Sequence, residues 1–231
     1  MKLDIKREEN KYYLSKIDSL KVRNKLDNVL KKDALASGDS YKVRSLYFDS
    51  INNIDYSDKL CGREDRKKIR LRLYGSNSDI IKLEIKKKNC EFQNKISLVI
   101  NKNDALEIVK GNYKVLYNYF DNEDAIYIYN TMTLGCYRPK VMVEYDRIAY
   151  VFNEFNTRIT FDYNIKSSES DFDLFKENPN YINILNDSTI MEVKYNGNLV
   201  TFVSKILSEF NLNSLSYSKY IEARKVFNSF D

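Results

Sequence analysis

Apolar and charged residues alternate along several stretches of this chain, and the alternation predicts β-strands. It is sharpest in Lys67–Tyr74 and Ile80–Lys87, where every second residue is apolar and the rest are mostly Lys, Arg or Glu. A period of two places such sets on opposite faces of a strand. Strands rich in β-branched and aromatic residues are also expected at Lys2–Tyr13, Tyr41–Phe48, Phe92–Ile100, Lys140–Phe152, Thr157–Ile165 and Ile190–Tyr195. Helical spacing takes over in three places. Ser15–Leu35 opens with a capping Ser15 and Asp18 three residues on, then carries Leu20, Leu26, Val29 and Leu30 as a stripe. Asp104–Asn130 reads as a second helical region and Leu199–Phe227 as a third. The pattern is α+β, about eight antiparallel strands with helices at intervals. With no linker or repeat, residues 1–231 are expected to form a single domain.

The charges are informative because of the faces they share. Arg70 and Arg72 lie on one side of their strand, opposite Ile69, Leu71 and Leu73. Lys82, Glu84 and Lys86 lie opposite Leu83 and Ile85. Arg7, Glu9 and Lys11 share a parity, as do Arg158, Thr160 and Asp162, and as do Glu192 and Lys194. An ordinary sheet with one wet side explains any one of these strands. Five strands with the same Lys- and Arg-rich face, and apolar backs that need cover, fit a closed barrel better. Its helices would pack outside and its charges would line the interior. A lumen of mostly one charge sign repels itself unless an anion enters. Phosphate oxygens suit arginine forks, and isolated glutamates suit a divalent cation held against the phosphate.

Composition narrows the chemistry by what it lacks. There is no histidine, so no histidine-based triad or histidine-ligated metal is available. Six glycines form neither of the common nucleotide-binding loops. A metal would rest on carboxylates, which favours Mg²⁺ or Mn²⁺. Three widely spaced cysteines, Cys61, Cys90 and Cys136, make neither a disulfide framework nor a zinc cluster, and a cytoplasmic setting follows. The charged start of the chain lacks a secretory apolar segment, and no run is long enough to span a membrane as a helix. The net charge of +5 is modest, so nucleic acid is not expected as a partner. The runs Arg66-Lys67-Lys68 and Lys86-Lys87-Lys88 read as solvated basic segments.

Several motifs, in order along nearly the whole chain, resemble the VTC domain. They are R-x-E-x-K-Y at Arg7–Tyr12, Y-x-V-R-S-L-Y-F-D-S at Tyr41–Ser50, K-I-R-L-R-L-Y-G at Lys68–Gly75 and L-E-I-K at Leu83–Lys86. V-x-Y-D-R-x-A-Y at Val143–Tyr150, R-I-T-F-D at Arg158–Asp162, M-E-V-K-Y at Met191–Tyr195 and S-K-Y at Ser218–Tyr220 complete the set. The VTC domain is the catalytic domain of the vacuolar transporter chaperone polyphosphate polymerase, also found as stand-alone bacterial proteins.

The resemblance implies an eight-stranded antiparallel tunnel of the triphosphate tunnel metalloenzyme (CYTH-like) superfamily. It further implies ATP-dependent synthesis of inorganic polyphosphate with Mn²⁺ or Mg²⁺, so ATP, phosphate and polyphosphate are the expected partners. Carried over, the phosphate-contacting residues are Lys11, Arg70, Arg72, Lys86, Lys95, Arg147, Arg158 and Lys219, with Arg7, Lys194 and Ser218 beside them. Arg70, Arg72, Lys86, Arg147, Arg158 and Glu192 are the expected catalytic set. Tyr145 falls near the nucleotide, and Glu192 matches the metal-ligand glutamate. Glu9 and Glu84 are further metal candidates by parity. Ser216 stands where a basic residue is frequent, which puts some nucleotide or chain contacts in question, and the sequence carries neither the regulatory domain nor the membrane helices of eukaryotic members. A triphosphatase of the same superfamily is the enzymatic alternative, although it would typically begin E-x-E-x-K where this chain has Arg7. A non-catalytic polyanion-binding module is the other.

Overall fold

The apolar halves of the alternating strands find each other across the sheet, which fixes its register. In the computed structural model, which describes residues 7–33, 39–75, 80–90 and 92–228, β4 (Arg66–Tyr74) pairs with β5 (Ile81–Asn89), and β5 with β6 (Phe92–Ile100), all antiparallel. Ile69 lies opposite Ile85 and Leu71 opposite Leu83, which in turn lies opposite Leu98. A slip of one residue would exchange these for lysines and arginines, so the register is strongly specified. The fold is α+β with a large antiparallel sheet. Among the described residues eight long strands carry it, with two two-residue strands, β2 (Lys31–Lys32) and β9 (Ile182–Asn183), added at β7 and β8.

The chain divides into two compact units. The first comprises Met1–Lys42, Tyr145–Ile165 and Leu185–Tyr217. It holds β1 (Arg7–Ser15), β10 (Ser188–Asn196) and parts of β8 (Thr157–Ser168) and β7 (Arg138–Phe152), in the order β1-β10-β8-β7. Helices α1 (Lys16–Asp27) and α5 (Thr201–Ser208) cover its apolar face. Val22, Leu26, Phe161, Met191 and Val203 are buried there.

The second unit comprises Val43–Glu144, Lys166–Ile184 and Ser218–Asp231. Its strand order is β7-β3-β4-β5-β6, with β3 at Tyr41–Asp49. The apolar face of β4–β6 packs with α3 (Lys102–Val109) and α4 (Glu123–Leu134) through Ile108, Ile128 and Met132. Helices α2 (Ile54–Leu60) and α6 (Lys219–Asn228) complete this unit.

Four expectations about elements change. The first helix ends at Asp27, because Leu30 turns back to donate its N–H to the Leu26 carbonyl at 2.8 Å and Lys31–Lys32 then pair with β7. Its buried stripe is Ser19, Val22 and Leu26, while Leu20 and Val29 face solvent. The region 104–130 is broken by Gly111, which adopts φ +89 and lets the Asn112 N–H reach the Glu107 carbonyl at 2.9 Å, a glycine-terminated helix end. A 3₁₀ turn, Tyr113–Tyr119, follows, and Asn122 caps α4 by accepting the Asp124 N–H at 2.9 Å. The region 199–227 is likewise two helices. Between them Leu215 donates its N–H to the Lys11 carbonyl at 2.9 Å and Ser214 bridges Tyr12, so the connecting segment meets β1 there instead of continuing the helix. Helix α2 was not foreseen. It is built by caps from the end of β3: Asp49 accepts the N–H groups of Asp55 and Tyr56, and Ser50 Oγ accepts that of Ile54. Of the expected first strand, Lys2–Lys6 lie outside the described residues, as do Ala34 and Leu35 of the expected first helix.

Candidate functional site

In the second unit the charged face of β4 and β5 assembles around one carboxylate. Glu84 is 1% exposed. Arg70 reaches its Oε2 through Nε and Nη2, each at 2.8 Å, Arg72 Nη1 lies 3.8 Å from the same oxygen, and Lys95 pairs with Oε1. Burial by itself would raise the Glu84 pKa. The fields of Arg70 and Arg72, with Lys95, outweigh it and hold the group down to about 2. One anion thus fixes three cations.

The arginines are held from a second side by β3. Arg72 Nε donates to Ser45 Oγ at 3.1 Å, and Arg70 Nη1 to the Tyr47 hydroxyl at 3.4 Å. The Arg70 guanidinium lies over the Tyr47 ring and that of Arg72 over Tyr74, at 5.9 and 5.8 Å. Burial favours the neutral phenol at Tyr47, yet Arg70, Arg72 and Lys219 together draw its pKa below the ordinary value, which places Lys219 within electrostatic reach. Lys68 donates to Ser218 Oγ at 2.7 Å. Tyr220 stacks on Tyr47 with ring centroids 5.3 Å apart and donates its hydroxyl to Asp49 at 2.5 Å, which anchors the start of α6. Lys86 lies opposite Lys95 in the register. The expected residues Arg70, Arg72, Glu84, Lys86, Lys95, Ser218 and Lys219 therefore all belong to this unit.

The first unit holds a different arrangement. Glu9 lies opposite Lys194 and Lys11 opposite Glu192 on the paired strands β1 and β10. Each lysine touches both carboxylates: Lys11 pairs with Glu9 and stands 3.6 Å from Glu192, while Lys194 pairs with Glu192 and stands 4.0 Å from Glu9. Nearby on β7, Arg147 makes a two-pronged contact with Asp162 at 2.6 and 2.7 Å and lies over the Tyr145 ring at 5.2 Å. Burial alone would weaken the Arg147 charge, but Asp162, followed by Tyr145 and Glu192, holds it firmly protonated. Arg158 is tied to Asp33 at 2.5 Å and to the Tyr41 hydroxyl at 3.2 Å. The backbone of Arg7 pairs with Asn196; its side chain lies outside the described residues.

A divalent metal can be tested against these carboxylates. No group of three or more acidic or thiol side chains converges among the described residues, so those residues offer no all-protein cage. Glu9 and Glu192 instead present two carboxylates side by side. A Mg²⁺-type ion is commonly held by one or two carboxylates, with phosphate oxygens completing its shell, and this pair fits that use. Glu84 does not, because its oxygens are enclosed by three cations that would repel a metal ion.

The residues missed in the sequence are the partners rather than the cations. Ser45 and Tyr47 are signalled by alternation in S-L-Y-F-D, where they sit opposite Leu46 and Phe48. Asp162 shares a parity with Arg158 but pairs with Arg147 on another strand. Asp33 carries no local signal for a contact with a residue 125 positions away.

The VTC domain family matches this chain over residues 6–228. No curated protein matches it. Among solved structures, a candidate adenylyl cyclase from Hippeastrum, described as having a dominant triphosphatase activity, superposes with a TM-score of 0.58 at 13% identity, covering 94% of this chain and 95% of the other. A candidate adenylate cyclase from Bacillus halodurans gives 0.53 at 12% identity, covering 93% and 96%. A Pyrococcus horikoshii protein gives 0.51 at 12%, covering 96% and 99%. At these identities the likeness shows a shared fold. The match over nearly the whole sequence shows more: this chain belongs to the VTC domain family.

Proposed function

We propose that this protein synthesises inorganic polyphosphate, transferring the γ-phosphoryl group of ATP to the end of a phosphate chain. The observation that carries the reading is the Arg70–Arg72–Lys95 group gathered on a single buried Glu84. Phosphoryl transfer asks mainly for positioning and charge neutralisation. Guanidinium groups already fixed by Glu84, Ser45 and Tyr47 meet that need without reorganising during the reaction. They would grip the transferred phosphoryl group, with Lys86 and Lys219 contributing charge from the same unit. In the first unit Lys11, Arg147, Arg158 and Lys194 supply further cations for nucleotide or chain phosphates, and Tyr145 offers a ring beside Arg147. The acceptor is a terminal phosphate oxygen, already ionised at neutral pH, so no protein base is required.

Mn²⁺ or Mg²⁺ is the metal this reading assigns to Glu9 and Glu192, which would hold it; bound there it would supply charge that offsets the phosphates. Lys11 and Lys194 neutralise the same carboxylates when phosphate is absent. Arg7, in place of the first glutamate of E-x-E-x-K, exchanges a potential metal ligand for a cation and favours a longer anion over a hydrolytic metal centre. The cytoplasm is the proposed setting, consistent with three exposed cysteines outside any disulfide and with the lack, among the described residues, of any helix long and apolar enough to cross a membrane.

The test is to incubate the purified protein with ATP and Mn²⁺ and to resolve the products by chain length. Long chains together with ADP are expected, and Arg72→Ala or Glu192→Ala should remove them while the folded signal persists. Breakdown of tripolyphosphate to short products without chain growth would replace synthesis by hydrolysis, the activity described for the Hippeastrum protein. Tight polyanion binding with no turnover would leave a binding module.

A further inference from the structure

Arg147 and Arg70 meet their carboxylates differently. Arg147 sets two nitrogens on two oxygens, Nε on Asp162 Oδ1 at 2.6 Å and Nη2 on Oδ2 at 2.7 Å, a fork that fixes the guanidinium plane. Arg70 brings Nε and Nη2 to the same oxygen, Glu84 Oε2, each at 2.8 Å. A contact on one oxygen leaves the plane able to swing about that point. Tyr47 supplies a second hold. Its hydroxyl accepts from Arg70 Nη1 at 3.4 Å, and the guanidinium lies over its ring at 5.9 Å. The aim of Arg70 therefore depends on where the Tyr47 ring stands.

That ring is set in turn by α6. Tyr220 stacks on Tyr47 with centroids 5.3 Å and planes 25° apart, and it meets the Tyr56 ring edge-on at 6.1 Å. The Tyr220 hydroxyl donates to Asp49 at 2.5 Å, and both residues are buried. Asp49 is a well-fixed acceptor. Its oxygens also take the N–H groups of Ser50, Asp55 and Tyr56 at 2.7, 3.0 and 2.9 Å, which pin it between the end of β3 and the start of α2. A buried phenol needs a partner for its hydroxyl in any fold, and capping α2 accounts for the bonds to Asp55 and Tyr56. Neither need explains why the ring that bears this hydroxyl lies flat on the tyrosine that steadies Arg70. Asp49, Tyr220, Tyr47 and Arg70 form one continuous line of contacts within the second unit.

We infer that Asp49 is a positioning residue for phosphate binding: through the Tyr220 hydroxyl and the Tyr220–Tyr47 stack it sets the orientation of the Arg70 guanidinium. This rests on the reading that Arg70 binds phosphate, and it adds that the aim of Arg70 is set by a carboxylate other than the one it pairs with.

The experiment measures binding without turnover. Tripolyphosphate alone, without metal or nucleotide, is titrated by calorimetry into the wild type, Y220F, R70Q, Y220F/R70Q and Y150F, each first shown to be folded by its unfolding transition. Tyr220→Phe keeps the ring and removes the hydroxyl. Tyr150 likewise donates a buried hydroxyl to an aspartate, Asp27, at 2.9 Å in the first unit, so Tyr150→Phe is a loss of the same chemical kind outside this line of contacts. Y220F should weaken tripolyphosphate about tenfold in the wild-type background and within about twofold once Arg70 is already glutamine. Y150F should stay within about twofold of the wild type. A second readout follows Tyr47 itself by NMR of protein labelled with ¹³C-tyrosine, its signal assigned with Y47F. Arg70, Arg72 and Lys219 draw the Tyr47 phenol below its ordinary pKa. Its titration should move upward in Y220F, as Arg70 leaves the ring, and stay in place in Y150F. Equal weakening by Y220F with and without Arg70, equal weakening in Y150F, or an unmoved Tyr47 titration in Y220F overturns the positioning role. Loss of binding in R70Q with none in Y220F overturns that role alone, whereas unchanged binding in R70Q overturns the phosphate reading of Arg70 and the role with it.

Discussion

Replacing Glu84 by glutamine keeps its shape and removes the anion on which Arg70, Arg72 and Lys95 converge. The carboxyl titrates near 2 in the folded protein against an ordinary value of 4.5. At about 1.4 kcal/mol per pH unit this corresponds to about 3 kcal/mol of stability at neutral pH, the range expected when one partner of a buried ion pair is lost. The sign is that of a depressed acid. The contribution is complete above pH 4.5 and disappears as pH falls toward 2, so the gap between wild type and E84Q should narrow across that window. Urea unfolding at pH 7 and at steps down to pH 3 measures it. Tripolyphosphate should stabilise E84Q more than it stabilises the wild type, because its anions replace the missing charge beside Arg70, Arg72 and Lys95. If E84Q equals the wild type at neutral pH, or keeps a constant deficit as pH falls, Glu84 is not the counter-ion of these arginines.

Three further outcomes follow from neighbouring contacts. Tyr220→Phe removes the hydroxyl that donates to buried Asp49 at 2.5 Å, and should cost about 1–3 kcal/mol in urea unfolding. Asp55, pushed up to about 6 by burial and by Asp49 despite Lys67, is an acid whose folded form favours the proton. The wild type should therefore lose up to about 3 kcal/mol as pH rises from 3.8 to 6, and Asp55→Asn should flatten that slope in unfolding titrations. Glu192→Gln leaves one carboxylate beside Lys11 and Lys194; Mn²⁺ binding in the presence of tripolyphosphate, followed by calorimetry, should weaken by about tenfold or more.

The strands and their charged faces were legible because their period is two and their apolar halves meet in register. Ile69, Leu71 and Leu73 oppose Ile85, Leu83 and Ile81 one for one, so the alternation that marks each strand also decides how the two strands pair. Helices were less legible wherever tertiary contacts set their limits. Leu212 and Leu215 sit at helical spacing after α5, yet Leu215 gives its N–H to Lys11 of β1. α2 exposes Ile54 and Leu60 and is held by Asp49 and Ser50, which belong to no helical pattern. The cations of the candidate site were readable, while their partners were not. Asp33 meets Arg158 across 125 positions, a pairing that only the folded strand order decides.

That asymmetry bears on what distinguishes a phosphate-binding face from a merely charged one. A solvated face has no need to restrain its arginines, since water screens them. Here Arg70 and Arg72 are held by a carboxylate with 1% exposure, by Ser45 and Tyr47 of β3 and by two tyrosine rings. Fixing long cationic side chains costs conformational entropy, and desolvating them costs more unless an anion shares the site. Glu84 supplies one negative charge to three cations. That preorganised cluster on a buried carboxylate is what the proposed phosphate site rests on.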